Sequence, residues 1–260
     1  MTTRMLAVNR TAWHVCFRRP ASAKMRRNEE LGMTESSHDP SDNNGGRRAQ
    51  LRERNRLAMI EATLDCVAEL GIARTSVSTI IERAGLSRGL IHFHFNGKDG
   101  LIEAAIAHAS NQYFDNLYAL LEETGPEALP QETVEAVIRS DMSPSILNGY
   151  NVSIWYAFRG EARERKSIQS FSDTRDDRLR ALLMKAFSNI CRAEKVGDPS
   201  QTARDATHGT LAFLEGMWTD YLLHEDAFDR EQACRIIFRF LSGLFPNHFG
   251  LNGALRDHPA

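Results

Sequence analysis

Between Ser76 and Lys98 the sequence gathers groups that bind polyanions. Arg88 carries a planar fork of N–H donors, His92 and His94 carry imidazoles, Lys98 an ammonium, and Ser76 and Ser87 hydroxyls. A guanidinium can make paired hydrogen bonds to a base edge, whereas hydroxyl, imidazole and ammonium groups suit phosphate oxygens. Spacing sharpens the reading. Arg88 and His92, four residues apart, fall on a similar side of a helix, and His94 flanks the other edge. The backbone N–H groups around Ser87-Gly89 would open that helix, where its dipole favours an anion, and Leu90 beside them is counted among the DNA-binding candidates. His92 and His94 do not read as metal ligands, because two residues on a helix place side chains on different faces.

These groups need a frame, and residues 76–95 (SVSTIIERAGLSRGLIHFHF) supply one. Ser76 is a good N-cap for a short helix whose Val77, Ile80, Ile81 and Ala84 form an apolar face. Gly85 permits the left-handed backbone that ends it, Leu86 plugs the corner, and Ser87 can cap a second helix running from Arg88 to Phe95. Ile91 and Phe95, four apart, bury the inner side of that helix. Two short helices joined by a Gly turn make a helix-turn-helix, whose second helix can enter a major groove. The bland alternative is a helical hairpin with solvated charges. The net charge of +3 over residues 47–100, against −7 over 101–260, favours a polyanionic partner for the first block.

A second cluster suits cations. Residues 155–158 read WYAF and 213–221 read FLEGMWTDY. Leu211, Glu215 and Trp218 share one helical face, so a carboxylate beside Trp218, faced by Trp155 or Phe158 from another helix, can hold a cation by charge and ring-face attraction. Quaternary ammonium ions suit such a cage, being bulky and weakly hydrated. The alternative is that these aromatics are core, with Glu215 solvated or paired with an arginine.

Other chemistries find little support. The chain shows no HExxH, GxSxG, P-loop or Rossmann fingerprint and no Glu-x-x-His pairing, so no catalytic constellation, cofactor or metal site is expected. Cys16, Cys66, Cys191 and Cys234 lie far apart and read as buried thiols in a reducing cytoplasm. No apolar run approaches the ~20 residues that span a bilayer, and no secretory h-region stands near the N-terminus.

The 260 residues, 42% hydrophobic and 25% charged, can bury a sizeable core. Three- and four-residue spacing of Leu57, Ile60, Leu64, Val67 and Leu70 predicts a helix from Arg47 to Gly71. Asn96-Gly97 ends the helix-turn-helix, and Lys98 opens a helix to about Glu123. Further helices are expected near 128–140, 145–159, 161–193, 200–224 and 229–244, bounded by Pro and Gly. The fold class is all-α, with about nine helices and no convincing strand. The expected division is a disordered extension over 1–46, a three-helix DNA-binding domain over 47–97, a ligand-binding and dimerisation domain over 98–246 and a tail over 247–260. The start of the sequence fits either a basic arm that adds phosphate contacts or a mis-called start, with translation beginning at Met33 or Met25. Two stripes, Ile236, Ile237, Phe240, Leu241 and Leu244, and Ala203, Ala206, Thr210, Leu214, Met217 and Tyr221, are candidates for a four-helix dimer interface, an intramolecular core being the alternative.

From about Arg54 to Leu101 the sequence resembles the DNA-binding domain of TetR-type repressors. Ala84, Gly85, Leu86, Ser87, Arg88, Gly89, Phe95, Lys98, Asp99 and Leu101 carry the match. Ile81 replaces the usual Ala, Leu90 a small or hydroxyl residue, and His92 and His94 stand where Tyr hydroxyls often reach phosphate. Neutral imidazoles donate weakly, so DNA affinity is expected to rise as pH falls. Lys98–Leu101, Trp155 with Ala157-Phe158, Asp177–Leu179 and Glu215-Gly216 with Trp218 are similar to the choline-responsive BetI branch. The resemblance implies a cytoplasmic homodimeric repressor that binds a palindromic operator duplex and a small effector, here a choline-like cation. The effector would tilt the helix over 98–123 and spoil the spacing of the two recognition helices. The rival readings are a sensor of hydrophobic drugs governing an efflux pump, an all-helical enzyme without a recognisable motif, and a pure protein-interaction bundle.

Overall fold

Helix-capping and chain-breaking residues set the framework. The computed structural model describes residues 42–255 apart from 124, 126–127 and 162–165, and leaves the side chains of 42–44, 123 and 166–176 out of the description. Nine α-helices run through the described residues: α1 (Asp42–Leu70), α2 (Val77–Ala84), α3 (Arg88–Phe95), α4 (Lys98–Glu123), α5 (Pro130–Asp141), α6 (Gly149–Glu161), α7 (Lys166–Glu194), α8 (Pro199–His224) and α9 (Arg230–Leu244). Short 3-10 turns follow α1 (Ile72–Arg74) and α8 (Glu225–Ala227). The fold is all-α, as the pattern predicts. Helix α1 starts within the stretch expected to be disordered, and the remainder of that stretch, residues 1–41, lies outside the described residues, as does Cys16.

Two short strands, β1 (Phe249–Gly250) and β2 (Gly253–Ala254), pair antiparallel where only a tail was expected. At two residues each they are too short to show alternation in sequence. Side chains of α5 hold them: Glu135 Oε2 accepts from the Ala254 amide at 3.0 Å, and Gln131 Nε2 donates to the Leu255 carbonyl at 3.1 Å.

Two hydrophobic clusters organise the packing. The first joins Met59, Ile60 and Leu64 of α1 to Ile80, Ile91, Phe95, Leu101 and Ile102, and takes Ile154 and Phe158 from α6. The second joins Tyr113, Phe114 and Leu117 of α4 to Val134, Ile138, Leu183, Phe187, Ile237 and Phe238. Thus α4 serves the first cluster with its opening turns and the second with its later ones. Helix α6 also contributes to both, since Val152 lies in the second.

The expected α8 dimer stripe is corrected. Ala203, Ala206, Thr210, Leu214 and Tyr221 are buried within the protomer, as are Ile237 and Leu241 of α9, because α8 turns this face onto its own bundle. Ile236 and Leu244 remain exposed, with half-buried Phe213, Met217 and Phe240 beside them. Gly209 makes this arrangement possible: a Cβ there would collide with the Phe240 ring, which also packs against Phe213 at 5.1 Å between centroids.

Candidate functional site

The helix-turn-helix forms with the boundaries its residues dictate. Ser76 Oγ accepts from the Thr79 amide at 3.1 Å while Thr79 Oγ1 accepts from the Ser76 amide at 2.9 Å, a reciprocal capping box that starts α2. Gly85 ends α2 in the left-handed region at φ 65°, and Asn96 ends α3 the same way at φ 58°. Gly100 then lets α4 approach α3 closely, since a Cβ on it would fall on the Phe95 carbonyl oxygen. This contact fixes where Lys98 stands relative to the end of α3.

Ser76, Ser87, Arg88, Gly89 and His92 are exposed, while Leu90, His94 and Lys98 are half-buried. Arg88 lies on the outer surface, where its Nη2 donates to Ser78 Oγ at 3.2 Å. Ser87 occupies the N-cap position, but its side chain makes no capping bond, contrary to expectation; the turn is closed by the Leu90 amide bonding to the Ser87 carbonyl at 3.1 Å. The Ser87 hydroxyl is therefore not committed to the helix cap. His94 departs from the picture of an open phosphate donor, because its Nε2 is enclosed without a hydrogen-bond partner and its ring packs edge-on against Phe93 at 4.9 Å.

Phe93 is the residue sequence reasoning missed. It is 62% exposed on α3, with the Arg52 guanidinium 5.6 Å from its ring centroid. A signal existed: Phe93 lies two residues from both Ile91 and Phe95, so burying those two turns it outward. An exposed phenyl ring has no donor for phosphate, but it can contact a thymine methyl group.

Three of the four residues assigned to a cation cage converge. Trp155, Glu215 and Trp218 line a cavity of about 270 Å³ between α6, α7 and α8. The two indoles meet edge to face, with centroids 6.2 Å apart. Phe158 does not join them; it is 3% exposed in the first cluster, because α6 turns that side toward α1–α4. Glu215 is paired with an arginine, since Arg159 Nη1 lies 2.8 Å from its Oε1 and the guanidinium sits 4.8 Å from the Trp155 ring centroid.

The deep end of the cavity holds an acid that the sequence reading passed over. Asp141, at the end of α5, is 2% exposed and accepts from Trp218 Nε1 at 2.8 Å and from Tyr113 Oη at 2.9 Å. A carboxylate closing a helix reads as a surface group in sequence, and nothing local marks its burial. Leu179 and Leu214 complete the apolar inner wall, while Arg180 and half-exposed groups around it form the mouth.

Helix α6 also touches the helix-turn-helix block directly. Tyr150 Oη donates to Asp65 Oδ1 of α1 at 2.9 Å, and burial together with the Asp65 charge holds the phenol far above its ordinary range. Burial likewise raises the thiols of Cys66, Cys191 and Cys234, which are free and buried. Among the described residues no helix is long and apolar enough to cross a membrane.

Comparison with known proteins places this architecture. Residues 59–105 match the bacterial regulatory proteins of the tetR family, and residues 130–246 match the C-terminal domain of the BetI-type transcriptional repressor. The HTH-type transcriptional regulator BetI of Ectopseudomonas mendocina is 31% identical over 189 residues, covering 72% of this chain and 91% of that protein. A transcriptional regulator from Pseudomonas aeruginosa PAO1 superposes with a TM-score of 0.68 at 26% identity, over 75% of this chain and 91% of the other. A regulator from Saccharomonospora viridis, solved in complex with choline, shares the fold at a TM-score of 0.61 and 17% identity, over 73% of this chain and 96% of its own. The chain belongs to the TetR family of bacterial transcriptional regulators and carries a C-terminal domain of the BetI type.

Proposed function

We propose that the protein is a homodimeric repressor, acting in the bacterial cytoplasm, that releases a palindromic operator when a small quaternary ammonium cation enters the cavity of the second cluster. The observation that carries the effector reading is the deep end of that cavity, where the Trp218 indole, packed edge to face on Trp155, donates to a buried carboxylate. Ring faces and a low-dielectric anion attract a weakly hydrated cation. The cavity volume of about 270 Å³ is at the small end for ligand sites, which favours a small onium ion over a bulky hydrophobic drug.

On this reading residues 47–97 form the DNA-reading unit and 98–246 the effector and dimer unit, with the short strand pair after it held on α5. Arg88 reaches base edges; Ser76, Ser87, His92 and Lys98 position the backbone, with His94 in a lesser part. Gly89 and Leu90 allow close approach, and Phe93 joins them as an apolar reader. Exposed Ile236 and Leu244, with Phe240 and Met217, supply the face for a second copy across α8 and α9. Two such recognition helices need half-sites one helical turn, or a multiple, apart.

The experiment is a gel-shift titration on a duplex selected from a random library, with choline as the probe effector. Wild type should bind specifically and release the duplex when choline is added. Arg88→Ala should lose specificity by roughly 10–100-fold, as expected for a paired base contact, while remaining dimeric. Unchanged affinity in Arg88→Ala would sink the DNA assignment, and choline-insensitive binding would sink the effector assignment.

A further inference from the structure

We propose that the stretch of α1 from Arg48 to Arg52 is a second DNA-contacting element, whose guanidiniums grip backbone phosphates beside the bases read by α3. This rests on the operator reading above and adds a helix to the contact. The observation is a juxtaposition: the Arg52 guanidinium stands 5.6 Å from the ring centroid of Phe93, which is 62% exposed on the recognition helix.

Helix α1 is longer than its packing requires. Among its described side chains the first buried one is Met59, so the run from Arg48 to Ala58 extends about 16 Å, or about three turns, ahead of the first cluster. Leu51, in the middle of this run, is exposed. Five arginines and one acid lie between positions 47 and 56, and the acid, Glu53, pairs with Arg56 at 3.3 Å. Arg48, Arg52 and Arg56 recur at every fourth residue, so they share one face and step along it by about 6 Å each.

Two ring contacts fix where that face looks. The Arg56 guanidinium lies 5.8 Å from the Phe95 centroid and the Arg52 guanidinium lies beside Phe93, so the stripe is turned toward the second half of α3. Phe95 is buried and Phe93 is exposed, so the stripe runs from the core to the outer surface of the recognition helix. Exposed Arg48 stands one turn further out. A major groove about 12 Å wide admits a single helix. With α3 in the groove, α1 stays at its wall, where the phosphates stand. A guanidinium fork matches phosphate oxygens in two-point geometry and carries no sequence preference there.

The test is the salt dependence of binding by the full chain to the selected duplex, followed by fluorescence anisotropy from roughly 50 to 200 mM salt. Losing two phosphate contacts in Arg48→Gln with Arg52→Gln should lower the slope of log affinity against log salt by about 2. Over that range the double variant then loses about tenfold less affinity than wild type. Its affinity for selected and random duplexes should fall by the same factor. Arg52→Lys should keep most of the slope, since an ammonium still meets phosphate although it no longer stacks on Phe93 as a guanidinium does. Arg54→Gln removes the same charge about 200° around the helix from Arg52 and should leave the slope as it is. A wild-type slope in the double variant overturns the inference, and so does an equal fall in Arg52→Gln and Arg54→Gln. Circular dichroism checks folding. Should the double variant not fold, ethylation interference with wild type decides: sensitive phosphates outside the bases protected by α3 are expected, and their absence overturns the inference. If wild type shows no sequence-specific binding, the operator reading falls as well; if it binds specifically with unchanged slopes in the variants, this inference alone falls.

Discussion

Trp218→Phe tests the deep end of the pocket through stability as well as binding. The indole N–H donates to Asp141 Oδ2 at 2.8 Å in a place where the acid is 2% exposed. Phenylalanine keeps one ring and deletes the donor. A hydrogen bond to a charged group contributes about 1.5–3 kcal/mol, and the substitution takes that donor from a buried oxygen. The missing part of the indole adds about 1 kcal/mol through the void it leaves. The expected loss is therefore about 3 kcal/mol, a large fraction of a total stability of roughly 5–15 kcal/mol. For a chain of this size that lowers the unfolding midpoint by roughly 6–12 °C. Tyr113→Phe removes the donor at Oδ1 without changing ring volume, and should cost about 1.5–3 kcal/mol. Both donors share one carboxylate, so the double variant should deviate from additivity. Far-ultraviolet circular dichroism against temperature and urea reads all three variants. Unfolding free energies for both single variants within about 0.5 kcal/mol of wild type would refute the picture of a buried, donor-dependent carboxylate.

Other perturbations probe the DNA-reading end. Phe93→Ala should abolish the discrimination between thymine and deoxyuridine at one operator position, measured by substituting thymines singly in the selected duplex; an unaltered methyl preference at every position would remove Phe93 from readout. Gly100→Ala should destabilise the helix-turn-helix by about 2 kcal/mol or displace α4, because the methyl meets the rigid Phe95 carbonyl rather than a flexible side chain, and a wild-type melting curve would contradict this. His108 supplies a pH dependence. Burial, ahead of the opposing charge of Glu61, lowers its imidazole below the ordinary value, so the folded chain favours the neutral ring. The unfolded chain takes up the proton first, and the stabilisation present above about pH 6.5 is lost as pH falls through the folded-state value. His108→Gln should flatten that fall in thermal midpoint between about pH 6.5 and 5; an equally steep fall in both proteins would assign it elsewhere.

The helix-turn-helix was legible because its signals are local. Ser76, Gly85 and Asn96-Gly97 each act on the backbone within a few residues, and α2, α3 and α4 begin and end where these residues require. What the sequence hid depends on neighbours far along the chain. The stripe from Ala203 to Tyr221 identified a buried face of α8, but periodicity does not say whether the same chain or a second copy covers it. Phe158 and Trp155 stand three apart on α6, close enough to suggest one site, yet they enter different environments because α6 is covered on two sides. Asp141 carries no local mark of burial, since its donors come from residues 28 and 77 positions away.

That double coverage of α6 bears on how an effector would reach the DNA. A route through α4 was expected, and α4 does run from the end of α3 into the second cluster. Yet α6 presents Trp155 and Arg159 to the cavity, Ile154 and Phe158 to the first cluster, and Tyr150 to Asp65 of α1. A ligand that displaced Arg159 from Trp155 would act on a helix already packed into the DNA-reading block. Closely packed cores do not absorb such a shift gradually, so it would be passed to the first cluster as a change of packing. The ligand would release the operator only to the extent that it binds the rearranged state more tightly than the DNA-bound one. The Tyr150–Asp65 hydrogen bond is a polar tie on this route. If α6 is the connection, cutting that tie weakens the effect of the effector on DNA binding more than it weakens the binding of either partner alone.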